Sequence, residues 1–182
     1  MSESTRTSTE SANLDEIFDT LAGFSVDELV KMLHDFSQNG HTIGDIKGFK
    51  REELEAIYNV AYNAYNSGRY DHATKAFQFL CYFDHLMQKN WMGLGASRQM
   101  QKDYANAVEA YTFAYLLDPD DPLPPLHAAD CQIALGKRDA AISGLTVAIE
   151  HAGDQEKYQP VRARAEALLE LLHQSEHNDA GA

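Results

Sequence analysis

The chain has 182 residues, 44% of them apolar, which is enough for one domain with a real core and too short for two comfortable ones. Its 28 acidic residues outnumber 15 basic ones for a formal net charge of −13, which excludes the basic stripe a phosphate-tracking nucleic-acid surface needs. No apolar run approaches the roughly 20 residues that span a bilayer, and the start MSESTRTSTESAN lacks the basic and apolar parts of a secretory leader, so the cytoplasm is the expected location, with no membrane insertion.

Residues 1–13 are mostly Ser, Thr and charge, and are expected to be disordered. Leu14, Ile17, Phe18 and Leu21 then form a short apolar stripe. Ser25 and Glu28 make a capping box at the start of VDELVKMLHDF, and Gly40 and Gly44 punctuate a turn. Residues 14–50 therefore read as an N-terminal helical region. Its apolar face either folds over the next helices of the chain or pairs with its twin in a second chain, and the sequence does not choose.

Residues 88–121 read QKNWMGLGASRQMQKDYANAVEAYTFAYLLDPDD. Trp91, Leu94, Gly95, Tyr104, Ala107, Tyr111, Ala114 and Pro119 stand where a repeat of 34 residues expects W, L, G, Y, A, F, A and P, with Arg98 in place of the usual aromatic. One period back lie Ile57, Val60, Ala61, Tyr70, Ala73 and Phe77, and one period forward lie Ala128, Ala129, Ala141, Leu145 and Ala148. This is the tetratricopeptide repeat (TPR) in three ungapped copies, 54–87, 88–121 and 122–155. The fold class is therefore all-α, a TPR solenoid of three helical hairpins with an N-terminal helical extension and a C-terminal capping helix.

Helices are expected at 52–67, 71–84, 88–101, 105–117, 123–135 and 138–151. Ala61, Gly95 and Ala129 on the first helices, and Ala73, Ala107 and Ala141 on the second, let the two helices of a hairpin approach closely. Tyr70, Phe77, Tyr104 and Tyr111 fill the gaps between hairpins. Gly68 and Gly136 end first helices, and Asp121 caps the proline-rich start of the fifth. Residues 157–174 carry Val161, Ala165, Leu168, Leu169 and Leu172, the stripe of a helix covering the last apolar face, and 175–182 form a flexible tail. Cys81 and Cys131 fall within apolar helical patterns and read as buried, reduced thiols.

Tyr58, Tyr62 and Tyr65 share one face of the first helix, distinct from the face of Ile57, Val60, Ala61 and Ala64 that packs inside the hairpin. First helices line the concave side of a TPR stack, so the tyrosines are expected there, either open as a groove or covered by the N-terminal helix. The matching positions downstream are Met92, Ala96, Gln99 and Met100, then Leu123, Leu126, Asp130 and Ile133. Such a wall is apolar and aromatic and suits an extended peptide.

The segments FQFLCYFDH (77–85), WMGLGASRQ (91–99) and PPLHAADC (124–131), with the lead-in GHTIGDIKG (40–48), resemble the class II type III secretion chaperones, the SycD/LcrH-type translocator chaperones. That resemblance implies a cytosolic, non-enzymatic chaperone that holds an extended N-terminal segment of a hydrophobic translocator in the concave groove, keeping it soluble and apart until secretion. It implies a client wall of Tyr58, Tyr62, Tyr65, Met92, Gln99, Leu126 and Asp130. Several family members also dimerise through the N-terminal helical region, which implies a possible homodimer here. A generic TPR adaptor for another peptide is the alternative. An acid-binding clamp would need Lys, Arg and Asn on the wall, whereas the inward positions include Tyr58, Tyr62, Gly93, Leu123 and His127, with Lys89 basic. No catalytic constellation is recognisable. GLGAS (93–97) lacks a third glycine, and His173 and His177 lack a third ligand, so no cofactor and no metal are expected.

Overall fold

The computed structural model describes residues 42–179, and among them all regular structure is helical. Helix α1 spans Ile43–Lys47, followed by α2 Arg51–Asn66, α3 Tyr70–Phe83, α4 Gln88–Met100, α5 Tyr104–Leu117, α6 Leu123–Ala134, α7 Arg138–Ala152, a 3₁₀ turn Glu156–Tyr158, and α8 Gln159–Asp179. The expectations for residues 1–41, including the apolar stripe and the capping box at Ser25, lie outside the described residues. Within them, every expected TPR helix is present with ends displaced by a residue or so. The last helix differs most: it starts after the 3₁₀ turn and runs on to Asp179, past the expected end at 174.

Helix α1 is short but capped at both ends. The Thr42 hydroxyl accepts from the Asp45 N–H at 3.2 Å, and the Asp45 carboxylate accepts from the Thr42 N–H at 2.8 Å. Gly48 closes it in the left-handed region, and Phe49 then packs edge-on against Phe79 and Phe83.

Three hairpins come next, α2/α3, α4/α5 and α6/α7. Each turns at one left-handed residue: Gly68 at φ 73°, Lys102 at φ 63° and Gly136 at φ 69°. The next N–H bonds back to the last turn of the helix in all three, Arg69 to Ala64, Asp103 to Arg98 and Lys137 to Gln132, each at 2.9 Å. Lys102 thus takes by force a backbone that the flanking repeats give to glycine, an irregularity the glycine signals could not show.

The small residues do what their positions suggested. Ala61, Ala129, Ala73, Ala107 and Ala141 are fully buried where helices cross. The middle repeat goes further. A Cβ on Gly95 would meet the Tyr111 ring at 2.7 Å, and one on Gly93 would meet the Phe77 ring at 2.3 Å. Gly93 is therefore a seat for Phe77 from the preceding hairpin rather than an open inward position.

At the start of α6, Pro124 and Pro125 occupy the first turn, where their missing donors are harmless. The N-cap is Pro122, one residue later than expected. Asp121 still serves the helix, since its carboxylate accepts from the Leu123 N–H at 3.0 Å and from the Gln88 side chain at 2.9 Å. Helix α8 closes the stack. Ala165 is buried with Leu126, Ala129, Leu145 and Ala148, and Val161, Leu168, Leu169 and Leu172 pack around them. Its other face is partly charged. Arg162 and Glu166 stand where α4 carries Leu94 and Arg98, and Arg162 is bonded to Glu166 and to Asp154, both at 2.9 Å.

Candidate functional site

Helices α2, α4 and α6 are the first helices of their hairpins, and the repeat sets their inward residues in register. Three rungs result: Tyr58, Met92 and Leu126; Tyr62, Ala96 and Asp130; and Tyr65, Gln99 and Ile133.

The N-terminal end is aromatic and open. Tyr62 is 51% exposed, and its ring lies parallel to that of Tyr58, with centroids 6.3 Å apart and planes at 10°. Tyr58 is half-buried, with its ring edge-on to Phe77 at 5.7 Å. The Lys89 ammonium sits 4.3 Å above the Tyr58 ring and donates to both Glu55 oxygens at 2.6 and 2.7 Å. Tyr65 is half-buried against the edge of Tyr70, at 5.5 Å. Burial raises the hydroxyl pKa of both Tyr58 and Tyr65, so each remains a neutral donor.

In the middle, Met92 packs beside the buried Ala107, Tyr111, Ala128 and Cys131, and Ala96 and Gln99 are half-buried. The Tyr111 hydroxyl donates to the Gln99 side-chain oxygen at 2.7 Å. Met100 is exposed.

The third repeat departs from expectation. Leu126, read as a wall residue, is only 2% exposed and belongs to the core under α8. The capping helix that completes the stack covers it, which its helical position alone did not reveal. Ile133 and Leu123 are half-buried. Asp130 is bonded to Arg164 of α8 at 2.8 Å, one repeat further on, and stands 3.8 Å from the His127 ring. The His127 ring stacks on Tyr111 with centroids 5.4 Å apart. Burial raises the Asp130 carboxyl despite Arg164, and burial lowers the His127 imidazole despite Asp130.

The wall is thus apolar with two neutralised ion pairs, Glu55–Lys89 and Asp130–Arg164, each linking residues one repeat apart. Sequence reading missed Arg164 and the polar role of Tyr111. The signal for Tyr111 was present in the 34-residue comparison, because the matching residues are Phe77 and Leu145.

Other parts of the protein offer less. Two clefts of about 320 and 210 Å³ are lined on the outer side, one by Gln78, Trp91, Arg98 and Phe113, the other by Thr112, Pro125, Gln132 and Val147. The second is the first displaced by one repeat, the furrow that stacked hairpins leave. Cys81 and Cys131 are buried free thiols; burial pushes both pKa values up, Cys131 to about 12, which keeps them protonated and unreactive. Among the described residues, no group of three or more His, Cys, Asp or Glu could hold a metal, and no helix is long and apolar enough to cross a membrane.

Two family models, both described as tetratricopeptide repeat, match residues 54–87 and 99–165. The low calcium response locus protein H of Yersinia pestis is 34% identical over 140 residues, which are 77% of this chain and 83% of that protein. PcrH of Pseudomonas aeruginosa, solved with the chaperone binding region of PopD, superposes with a TM-score of 0.69 at 37% identity, over 71% of this chain and 97% of PcrH. The Yersinia enterocolitica type III secretion chaperone SycD, solved with a peptide of the translocator YopD, gives a TM-score of 0.68 at 33% identity, over 71% of this chain and 98% of SycD.

Proposed function

The chain belongs to the class II type III secretion chaperones, the SycD/LcrH-type translocator chaperones, and from that premise we propose what its inner wall does. It binds an extended segment of a hydrophobic translocator and keeps that client soluble and apart from its partners until secretion. The contact residues are Tyr58, Tyr62, Tyr65, Met92, Ala96, Gln99, Asp130 and Ile133. Leu126 supports them from the core.

One observation carries this reading. An apolar, aromatic surface with a solvent-open tyrosine at its head persists in a chain of net charge −13. Exposed rings in register want a ligand. Filling three apolar sites at about 1.5–3 kcal/mol each supplies roughly 5–9 kcal/mol of gross burial. Ordering a flexible segment removes part of it, so micromolar affinity for a short peptide is the expected scale. Lys89 and Arg164 are each held by a carboxylate, which argues against a clamp for an acidic C-terminus.

Holding requires no bond to be made or broken, so a non-enzymatic chaperone is proposed, with the cytoplasm as its place of action. SycD has been solved as an alternative dimer, and self-association of this chain through residues 14–50 belongs to the same proposal. Co-expression with hydrophobic translocators of a type III secretion system, followed by co-purification, tests the function. A soluble complex that weakens on replacing Tyr62 and Tyr65 by Ala, with helicity unchanged, is the expected result. Clients that aggregate regardless, or complexes indifferent to both tyrosines, would overturn it. Deleting residues 1–36 should change the oligomeric state more than client affinity.

A further inference from the structure

In each hairpin the repeat matches one residue near the end of the first helix with one in the middle of the second. These pairs are Tyr65 with Phe77, Gln99 with Tyr111, and Ile133 with Leu145, each displaced from the next by one repeat. Only the middle pair is joined by a hydrogen bond, from the Tyr111 hydroxyl to Gln99 Oε1 at 2.7 Å. Tyr111 is 1% exposed, its ring fixed over Gly95 on one side and stacked on His127 on the other. That rigid, buried phenol holds the oxygen of a half-buried carboxamide, whose Nε2 makes no bond among the described residues. A glutamine held by its oxygen keeps both amide N–H donors for another acceptor.

We infer that Tyr111 is a positioning residue for client binding: it orients Gln99 so that the amide N–H groups meet a main-chain carbonyl of the client. This rests on the reading that the inner wall holds an extended translocator segment. An extended chain carries unpaired carbonyls along both edges. Burying one against an apolar wall is costly unless a donor meets it. Gln99 is the uncharged side-chain amide among Tyr65, Ile133 and the other wall residues, placed midway along the rungs. It can serve any client sequence, because it addresses the main chain.

The test is fluorescence anisotropy with two labelled probes, the YopD peptide held by SycD and the chaperone binding region of PopD. Tyr111→Phe should retain the fold, since Phe77 fills the same place one repeat earlier. It should weaken binding by about three- to tenfold, the scale of one hydrogen bond. Gln99→Ala should do the same, and adding Tyr111→Phe to it should change affinity by less than about twofold, because both act through one contact. Gln99→Glu keeps the acceptor for Tyr111 and replaces the amide donors by an acceptor, so it should bind no better than Gln99→Ala. Tyr111→Phe binding like wild type, or additive losses in the double variant, would overturn the inference with the function intact. Wild-type protein that binds neither probe would overturn both.

Discussion

Replacing Gly93 by Ala adds one methyl group at the most crowded junction between the first two hairpins. That carbon would stand 2.3, 2.4 and 2.7 Å from Cε1, Cζ and Cδ1 of Phe77. Carbon atoms rest at about 3.5–4.0 Å, so the ring or α4 must retreat by roughly 1 Å. Phe77 is almost fully buried, and its edge lies 5.7 Å from the Tyr58 ring. Overpacking of this kind costs about 1–3 kcal/mol. In a domain of this size each kcal/mol lowers Tm by about 2–4 °C, so a fall of roughly 3–10 °C is expected by far-UV circular dichroism. Because Tyr58 leans on Phe77, client affinity should fall as well. Phe77→Leu removes the obstructed ring atoms, so the double variant should lose less stability than the two single losses added together. A Gly93→Ala protein as stable as wild type, or strictly additive losses, would show that Phe77 does not seat on Gly93.

Lys102→Gly relieves a left-handed residue that the flanking repeats assign to Gly68 and Gly136; a gain of up to about 1 kcal/mol is expected in urea titrations, and a loss would contradict the strain at φ 63°. Tyr62→Ala removes a half-exposed ring, so stability should stay within about 0.5 kcal/mol. Client affinity should drop roughly tenfold, the scale of a modest hot spot, as read by calorimetry. Acidification should destabilise the fold through His127, whose pKa burial lowers. A base with a depressed folded pKa contributes stability that is present above its unfolded value, near 6.5, and lost as pH falls through the folded value. The loss should therefore be visible in urea titrations from about pH 7 downward, and His127→Gln should flatten it. His85, also lowered by burial, acts in the same sense, while Asp130, raised by burial, acts in the opposite sense in the carboxylate range below. An unchanged slope in the His127 variant would refute the assignment.

The repeat was legible because its determinants are local and periodic. Ala61, Gly95 and Ala129 recur at fixed distance, and each hairpin needs a small residue at that crossing whatever its surroundings. The glycine turns were legible for the same reason, and Lys102 was not, because the first and third hairpins impose its backbone by symmetry of stacking rather than by its own preference. Leu126 was misplaced for a related cause. Its position on α6 matches Tyr58 on α2 and Met92 on α4, yet α8 covers it, and coverage by a later element is a property of the whole stack. Asp130 depended on the same helix, through Arg164. The helical period alone separates the tyrosine face from the buried Ala61 and Ala64, but it placed Val60 with them, and Val60 is 48% exposed.

The two ion pairs on the inner wall invite an explanation that stability does not supply. The half-exposed Glu55–Lys89 pair contributes about 0–1 kcal/mol, and the Asp130–Arg164 pair offsets the cost of a largely buried carboxylate, yet each joins positions one repeat apart. Their position on the inner wall gives them a second effect, on a client. In a chain with excess acid, an unpaired Glu55 or Asp130 would present an acceptor and a charge to an apolar segment, and desolvating either would oppose binding. Lys89 and Arg164 cancel those charges in place. Lys89 also lies over Tyr58, so the cation that neutralises Glu55 fixes the aromatic ring as well. The charge left over stands on the remaining surface, where mutual repulsion keeps the protein and its cargo dispersed. A neutral wall inside a repelling exterior can thus hold greasy cargo without joining it to a neighbour's.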